Sequence, residues 1–200
     1  MELRARQLKE AVQNNPVKRL SVVESMVEEL NRNMEEMCKA EQLHRDGKLP
    51  KRICHCDTKV NNMMFDADGN ILCVIDLDTV MPSYVFSDYG DFLRTGANFT
   101  AEDDPNLANV GFNMDIFKAF TKGYLTSAGA FLTPIEREHL PFAAKLFPFM
   151  QCARFLTDYI NGDVYYKIKY PEHNLDRAKN QLALFNSVCL HEEEMKNFIA

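Results

Sequence analysis

The segment 53–65, ICHCDTKVNNMMF, holds the densest group of residues that could do chemistry. Four potential metal ligands stand in a row here: Cys54, His55, Cys56 and Asp57. A structural zinc site takes four ligands in tetrahedral geometry, usually as two pairs whose members lie two to four residues apart. On a strand, successive side chains point to opposite faces, so these four cannot converge without a distorted backbone. No second Cys or His pair completes the set, and the spacing does not favour zinc.

The same segment also has the spacing of a phosphotransfer site. Asp57 and Asn62 are five residues apart, as are the catalytic Asp and the metal-binding Asn in the catalytic loop of kinases. In such a loop the carboxylate faces the acceptor hydroxyl, while the amide oxygen reaches a Mg²⁺ on the phosphates. A hairpin must then return a second carboxylate, and Asp76 stands where that carboxylate belongs. Lys59, two residues after Asp57, has the position that it has in kinases whose loop Lys touches the transferring phosphate.

Elements on either side must position these residues. The first fifty residues are predicted to be helical, because apolar residues recur at three- and four-residue intervals between Leu20 and Cys38. Ser21 and Glu24 have the spacing of a capping box at the start of that helix. Residues 52–78 predict a catalytic loop and a hairpin, whose tight turn is the Asp-Ala-Asp-Gly segment 66–69.

The remainder, 79–200, predicts a loop followed by helices near 88–97, 113–129, 134–161 and 173–198. Thr133, Pro134 and Glu136 form a strong helix start, with a cap, a proline in the first turn and a capping box. No repeat or linker divides the chain. We therefore expect one domain over 1–200, of the α+β class and mainly helical.

Composition excludes several classes of function. With a net charge of -6 and no run of five or six like charges, the chain has no electrostatic footprint for nucleic acid or an anionic membrane. No apolar run approaches the roughly 20 residues of a membrane span, and the charged, amphipathic start is unlike a secretion signal. Six scattered cysteines are then best interpreted as reduced thiols. We expect a cytoplasmic protein that binds neither nucleic acid nor membrane.

These motifs together resemble a known family. His55-x-Asp57-x-x-x-x-Asn62, followed by Ile75-Asp76-x-Asp78, resembles the aminoglycoside phosphotransferase and choline kinase-like superfamily. Within it, the stretch VIDLDTVMPSYVFSDYGDFLR is most similar to the N-acetylhexosamine 1-kinase group. The resemblance covers residues 52–97 and implies the C-terminal lobe of a protein-kinase-like fold. It also implies phosphorylation, by ATP, of the anomeric hydroxyl of N-acetylglucosamine or N-acetylgalactosamine.

The resemblance assigns a role to each motif residue. Asp57 would be the catalytic base, with Lys59 beside it at the transferring phosphate. Asn62 and Asp76 would bind the Mg²⁺ that accompanies ATP, and Asp78 would assist at the metal. His55 would brace the catalytic loop. Three further residues would hold the following loop and helix in place: Asp88, Asp91 and Arg94.

One part of the superfamily's pattern is missing from these residues. Such kinases have a β-rich N-terminal lobe, which supplies a phosphate-covering loop and a Lys that pairs with the nucleotide. The residues before His55 are predicted to be helical, and Gly47 is their only glycine. We therefore expect a C-terminal lobe without its N-lobe, incomplete as an enzyme, whether as a fragment, a truncated gene product or half of a split protein. Its exposed interface would then bind a second copy or a separate N-lobe.

Two other functions were weighed against a kinase. A non-catalytic binding or regulatory remnant would keep the lobe because its helical core still folds. Some relatives are labelled mucin-desulfating proteins, but a sulfatase needs a Cys/Ser-x-Pro-x-Arg motif, and none of the eight prolines has Cys or Ser two residues before it. The aromatic-rich segment 147–170 is interpreted mainly as core, with a sugar-binding surface as the alternative.

Overall fold

The computed structural model describes residues 1–200, beginning with a helical segment as predicted. Three helices precede the catalytic loop: α1 (Glu2–Asn14), α2 (Leu20–Met37) and α3 (Lys39–Arg45). The predicted capping box is wrong, because Ser21 and Glu24 lie inside α2, and the N-cap residue of α2, Arg19, makes no side-chain capping hydrogen bond. Instead, Arg19 fixes the start of α2 by pairing with Asp163 and by donating to the Tyr159 carbonyl oxygen at 3.0 Å.

Two small antiparallel sheets frame the catalytic loop. The four strands are β1 (Arg52–Cys54), β2 (Met63–Phe65), β3 (Ile71–Val74) and β4 (Met81–Ser83). β2 pairs with β3 around the predicted turn, where Gly69 has a φ of 84° that favours glycine. β1 pairs with β4, so that Arg52 lies opposite Ser83. This second pairing closes residues 55–80 into a loop that starts and ends at one place.

The rest of the chain is a helical body built around one buried helix. Its helices are α4 (Phe86–Gly96), α5 (Met114–Ala128), α6 (Pro134–Glu138), α7 (Leu140–Asn161), α8 (His173–Leu190) and α9 (Glu192–Ile199). α7 packs against α1, α4 and α8, and apolar residues on all its faces are buried. The fold is thus α+β and mainly helical, as predicted.

Helix boundaries follow the sequence in part. Thr133 caps α6 as predicted, accepting from the Glu136 amide, while the Glu136 side chain accepts from the Thr133 amide. The predicted helices 134–161 and 173–198 are each divided in two, at His139 and His191. No helix combines the length and the apolar character that a membrane crossing requires.

Gly90 lets α4 and α7 approach closely, and we expect Gly90→Ala to destabilise the fold. An added Cβ would overlap the Ala143 carbonyl oxygen and the Phe147 ring. Overpacking of this kind costs about 1–3 kcal/mol. Urea unfolding measures the loss. Gly123→Ala in α5 is the matched control, because no atom lies within 4 Å of its Cβ position. It should be neutral or stabilising, since Ala is the better helix former, and equal effects would contradict the close approach.

Candidate active site

The catalytic loop between β1 and β2 brings three predicted residues into contact. Lys59 Nζ lies 2.7 Å from Asp57 Oδ2. Asn62 Nδ2 donates to the same carboxylate oxygen at 2.8 Å, and to the Asp57 backbone oxygen at 2.8 Å. Asn62 is buried, whereas the Asp57 and Lys59 side chains are 27% and 37% exposed. The loop therefore fixes the Asp57 carboxylate through Lys59 and Asn62 and leaves it partly exposed to a ligand.

The hairpin returns Asp76 to this loop. Asp76 follows β3 in the left-handed conformation, with a φ of 66°. Its Oδ2 lies 3.8 Å from Lys59 Nζ, so one ammonium group faces both Asp57 and Asp76. The Ile75 amide donates to the Asn62 carbonyl oxygen at 2.9 Å, which joins hairpin and loop directly.

Asp78 is placed differently from the other predicted residues. It is exposed, in a 3-10 turn over Leu77–Thr79, and makes no hydrogen bond or ion pair with the catalytic loop. It therefore stays apart from the contacts that join Lys59 to Asp57 and Asp76.

His55 connects the two halves of the site. Its Nδ1 accepts from the Asp57 amide at 3.3 Å, which assigns the proton to Nε2. Nε2 then donates to the Ile75 carbonyl oxygen at 2.9 Å. The Thr79 hydroxyl donates to the His55 carbonyl oxygen at 2.7 Å. His55 thus holds loop and hairpin together, and its ring nitrogens are both occupied by these contacts.

Asp88, near the start of α4, anchors the catalytic loop from the helical body. Its carboxylate accepts from the His55 amide at 2.9 Å and from the Cys56 amide at 2.8 Å. The Thr58 hydroxyl donates to its backbone oxygen at 2.6 Å. Cys56 has a φ of 67°, an uncommon conformation for a residue with a side chain. These contacts hold the sharp bend that turns Asp57 outward.

A buried ion-pair cluster lies behind the site. Arg94 Nε donates to Asp91 Oδ1 at 2.9 Å, and Nη1 to Glu102 Oε2 at 2.6 Å. The Arg94 and Asp91 side chains are only 6% and 8% exposed. The cluster ties α4 to the loop that follows it.

The pKa of the Asp57 carboxyl group is held below its ordinary range. Burial raises this pKa, but hydrogen bonds from Lys59 and Asn62 outweigh the effect of burial. The hydrogen bond to Asp57 raises the pKa of Lys59 in turn, against a smaller opposing effect of burial. Both groups are therefore charged at neutral pH. The stabilisation that this pair provides is lost as the pH falls through the pKa of Asp57 in the folded protein.

We expect Lys59→Met to raise the pKa of Asp57, because burial then acts with less opposition. A carbon-13 NMR titration of the Asp57 carboxyl group measures this directly and does not depend on activity. Lys122→Met is the control, since Lys122 is exposed and forms no ion pair. An unchanged titration of Asp57 in Lys59→Met would contradict the role given to this contact.

Two cavities flank Lys59. One, of about 440 Å³, runs from the catalytic loop along residues 94–103, and only two of its nine lining residues are hydrophobic. Its polar wall includes Asn61, Thr100, Glu102 and Asp103. The other, of about 200 Å³, is apolar and lies between the hairpin and α4 and α5. Sequence patterns indicated Lys59 and Arg94 but not Thr100, Glu102 or Asp103, because the loop 97–113 carries no motif.

A mainly helical body that carries such a loop and hairpin is a kinase-like lobe. Residues 2–124 match the family described as the phosphotransferase enzyme family (APH). The match spans more than half of the 200 residues, and the chain belongs to this family. Membership gives the class of activity, transfer of a phosphoryl group, and a small molecule as the substrate.

Proposed function

We propose that this chain is the lobe that carries out ATP-dependent phosphorylation of an N-acetylhexosamine at its anomeric hydroxyl. The observation that carries the proposal is the contact of Lys59 with both Asp57 and Asp76 beside Asn62. This arrangement supports a base, a cation and hard oxygen ligands acting at one site. Phosphoryl transfer depends on such positioning and charge neutralisation more than on covalent chemistry.

The residues present fit a bound Mg²⁺. The Asn62 amide nitrogen is held by Asp57, which leaves its side-chain oxygen as the free ligand atom. Asp76 has an exposed carboxylate, and Asp78 is proposed to assist from the neighbouring turn. Mg²⁺ prefers oxygen ligands and, when bound, supplies charge neutralisation at the phosphates of ATP. The family's activity supports ATP as the phosphoryl donor.

Asp57 is proposed to accept the proton of the attacking sugar hydroxyl. It is ionised at neutral pH and is partly exposed, so it can accept a proton. Lys59, 2.7 Å away, would orient this carboxylate and stabilise negative charge on the transferring phosphoryl group. His55 and Asp88 act through the loop backbone, by keeping Asp57 in its outward position.

The polar cavity beside Lys59 supports a hydroxylated acceptor. Glu102 Oε2 is held by Arg94, and Asp103 Oδ2 by Lys169 and His173, so each carboxylate keeps one oxygen for an acceptor. Asn61 and Thr100 offer further polar groups there. A sugar needs such paired donors and acceptors, since each unpaired buried hydroxyl loses binding energy. The choice of an N-acetylhexosamine over another sugar rests on the sequence similarity of residues 74–94.

We further propose that the 200-residue chain alone transfers phosphate slowly or not at all. No segment of it forms a glycine-rich loop over the nucleotide, since only Gly47 precedes the catalytic loop. The hairpin surface also exposes apolar side chains, with Ile71 64%, Leu72 60% and Leu77 61% exposed. Patches of this kind are typical of interaction surfaces. We propose this face as the contact for a separate N-lobe or a second copy of the chain.

Concentration-dependent sedimentation tests that contact. We expect the purified chain to self-associate when no N-lobe is present. Leu72→Lys should weaken the association, whereas Leu190→Lys, at a side chain 87% exposed outside the hairpin, should not. If the chain is strictly monomeric, or if the two variants have equal effects, the hairpin face does not bind a second copy of the chain.

The proposed function is tested by two measurements on one preparation. Titration with ATP and Mg²⁺ should shift the NMR signal of the Asn62 side-chain amide. The Asp76→Asn variant should bind ATP with Mg²⁺ more weakly. Long incubation with N-acetylglucosamine or N-acetylgalactosamine should then yield a sugar phosphate detectable by phosphorus-31 NMR. The 1-O-methyl glycoside of each sugar is the matched control, because it has no free anomeric hydroxyl.

The outcomes separate the alternatives. If ATP with Mg²⁺ binds but no sugar phosphate forms, the result would support a lobe that needs a second component. A chain that does not bind the nucleotide in the presence of Mg²⁺ would instead be a non-catalytic remnant. Phosphorylation of the methyl glycoside would overturn the anomeric hydroxyl as the acceptor. Turnover at ordinary enzyme rates, roughly 1 per second or more, would refute the proposal that the chain is incomplete.

A further inference from the structure

A cavity of about 330 Å³ between α1 and α7 holds two arginines that the catalytic loop does not use. Arg4 comes from α1 and Arg154 from the second half of α7, and Tyr165 and Tyr166 close one side. None of these residues lines the two cavities beside Lys59. The cavity is therefore a separate feature of the helical body.

Neither guanidinium group has a carboxylate partner. Arg4 Nη1 donates to Gln7 Oε1 at 2.8 Å, and Arg154 Nη1 donates to Gln151 Oε1 at 3.0 Å. Both acceptors are neutral amides, and both arginines are half-buried. A guanidinium has five N–H donors and is always charged. Most of the donor capacity of this pair is thus unused.

The acidic residues of the cavity do not compensate this charge by direct contact. The Asp158 carboxylate accepts from the backbone amides of residues 164–166 and from Asn174 Nδ2. Glu10 is exposed and pairs with neither arginine. Burial lowers the pKa of Arg4, and the nearby Arg154 lowers it further. Two like charges thus lie close together at a site where a bound anion would relieve their repulsion.

Tyr166 packs against one of these arginines. The Arg154 guanidinium lies over the Tyr166 ring, with Cζ 5.5 Å from the ring centroid. The Tyr166 hydroxyl is buried and is therefore not exposed to a ligand in the cavity. Two guanidinium forks from different helices can bind the oxygens of one phosphate through charge-assisted hydrogen bonds. A terminal phosphate offers them three oxygens, whereas a planar carboxylate offers two.

We propose that Arg4 and Arg154 bind the phosphate group of a small phosphomonoester. The cavity is larger than a phosphate ion, so the remainder of the ligand has room beside the phosphate. Tyr165, 73% exposed at the rim, offers a flat ring against which that remainder packs. The ligand class is a phosphorylated small molecule, bound at a site separate from the catalytic loop.

Calorimetric titration of the 200-residue chain tests the site, with inorganic phosphate, glucose 6-phosphate and citrate as probes. We expect both phosphates to bind, glucose 6-phosphate more tightly, and citrate weakly. Arg4→Gln and Arg154→Gln should each lower phosphate affinity about tenfold or more, as loss of a charge-assisted hydrogen bond does. Tyr166→Phe should leave phosphate affinity unchanged, because the Tyr166 hydroxyl is not exposed to the cavity. Tyr165→Ala should remove the preference for glucose 6-phosphate.

Arg6→Gln is the matched control, because Arg6 is exposed on the same helix and does not line the cavity. Urea unfolding in phosphate-free buffer gives a second readout. There, Arg4→Gln should not lower stability, since it removes like-charge repulsion with Arg154, whereas loss of a merely structural arginine would lower it. Absence of phosphate binding, equal loss in Arg6→Gln, or citrate binding as tight as phosphate would overturn the proposal.

Discussion

Asp57→Asn should lower sugar-dependent phosphoryl transfer by about 10²–10⁴-fold, with little effect on binding of ATP with Mg²⁺. The substitution keeps the size of the side chain but removes the oxygen proposed to act as the base. The proposed base would act on the sugar hydroxyl, and the proposed metal ligands, Asn62 and Asp76, are unchanged. Initial rates of sugar phosphate formation and a separate nucleotide titration measure the two effects. The rates are best measured with the chain alone or with its proposed partner, a separate N-lobe or a second copy, whichever gives the highest activity.

Asp68→Asn is the matched control for this variant. Asp68 is exposed in the hairpin turn, and its side chain makes no hydrogen bond. Its transfer rate should equal that of the unmodified chain. If Asp57→Asn lost nucleotide binding while Asp76→Asn kept it, the roles proposed for these two carboxylates would be exchanged. Unfolding by urea shows whether loss of the Lys59 and Asn62 contacts has also weakened the fold.

Arg94→Met should destabilise the protein by about 3–5 kcal/mol. The substitution leaves Asp91 buried, without the guanidinium that donates to it at 2.9 Å. Burial already raises the pKa of Asp91, and Arg94 is the main group that opposes this. An unpaired buried carboxylate must either stay charged in an apolar environment or take up a proton. Urea unfolding measures the loss as a lower midpoint at an unchanged slope.

Arg32→Met provides the comparison, since Arg32 is exposed on α2 and has no ion pair. Its effect should stay within about 0.5 kcal/mol. Adding Asp91→Leu to Arg94→Met should recover part of the lost stability, because the unpaired charge is then removed. If Arg94→Met unfolded at the same midpoint as Arg32→Met, the buried cluster would not stabilise the fold.

Local signals in the sequence predicted those features that depend on neighbouring residues. Thr133 and Glu136 satisfy each other's backbone within one turn, so their capping box forms as expected. The tight turn around Gly69 is equally local. Ser21 and Glu24 have the spacing of a capping box but do not form one. The start of α2 is fixed instead by the contact of Arg19 with Asp163, which is far away in the sequence and which no local pattern predicts.

The sequence motif of the candidate site could be recognised in advance, but the contacts that hold the motif residues in position could not. The spacing of Asp57, Asn62 and Asp76 reflects chemistry, and the structure brings them together around Lys59. The pairing of β1 with β4 and the walls of the polar cavity depend on contacts between distant parts of the chain. No local pattern encodes such contacts. The two Asp88 bonds to the loop amides likewise follow from where the body places α4.

The closed segment 55–80 has a consequence for how the protein loses its site. Its ends are fixed by β1 and β4, while most side chains of β2 and β3 face solvent and contribute little to the core. Segments with few buried contacts open locally at a smaller free energy than global unfolding. Amide hydrogens of β2 and β3 should therefore exchange well before those of α7. A sample can lose the catalytic loop while its far-ultraviolet circular dichroism, dominated by helices, barely changes.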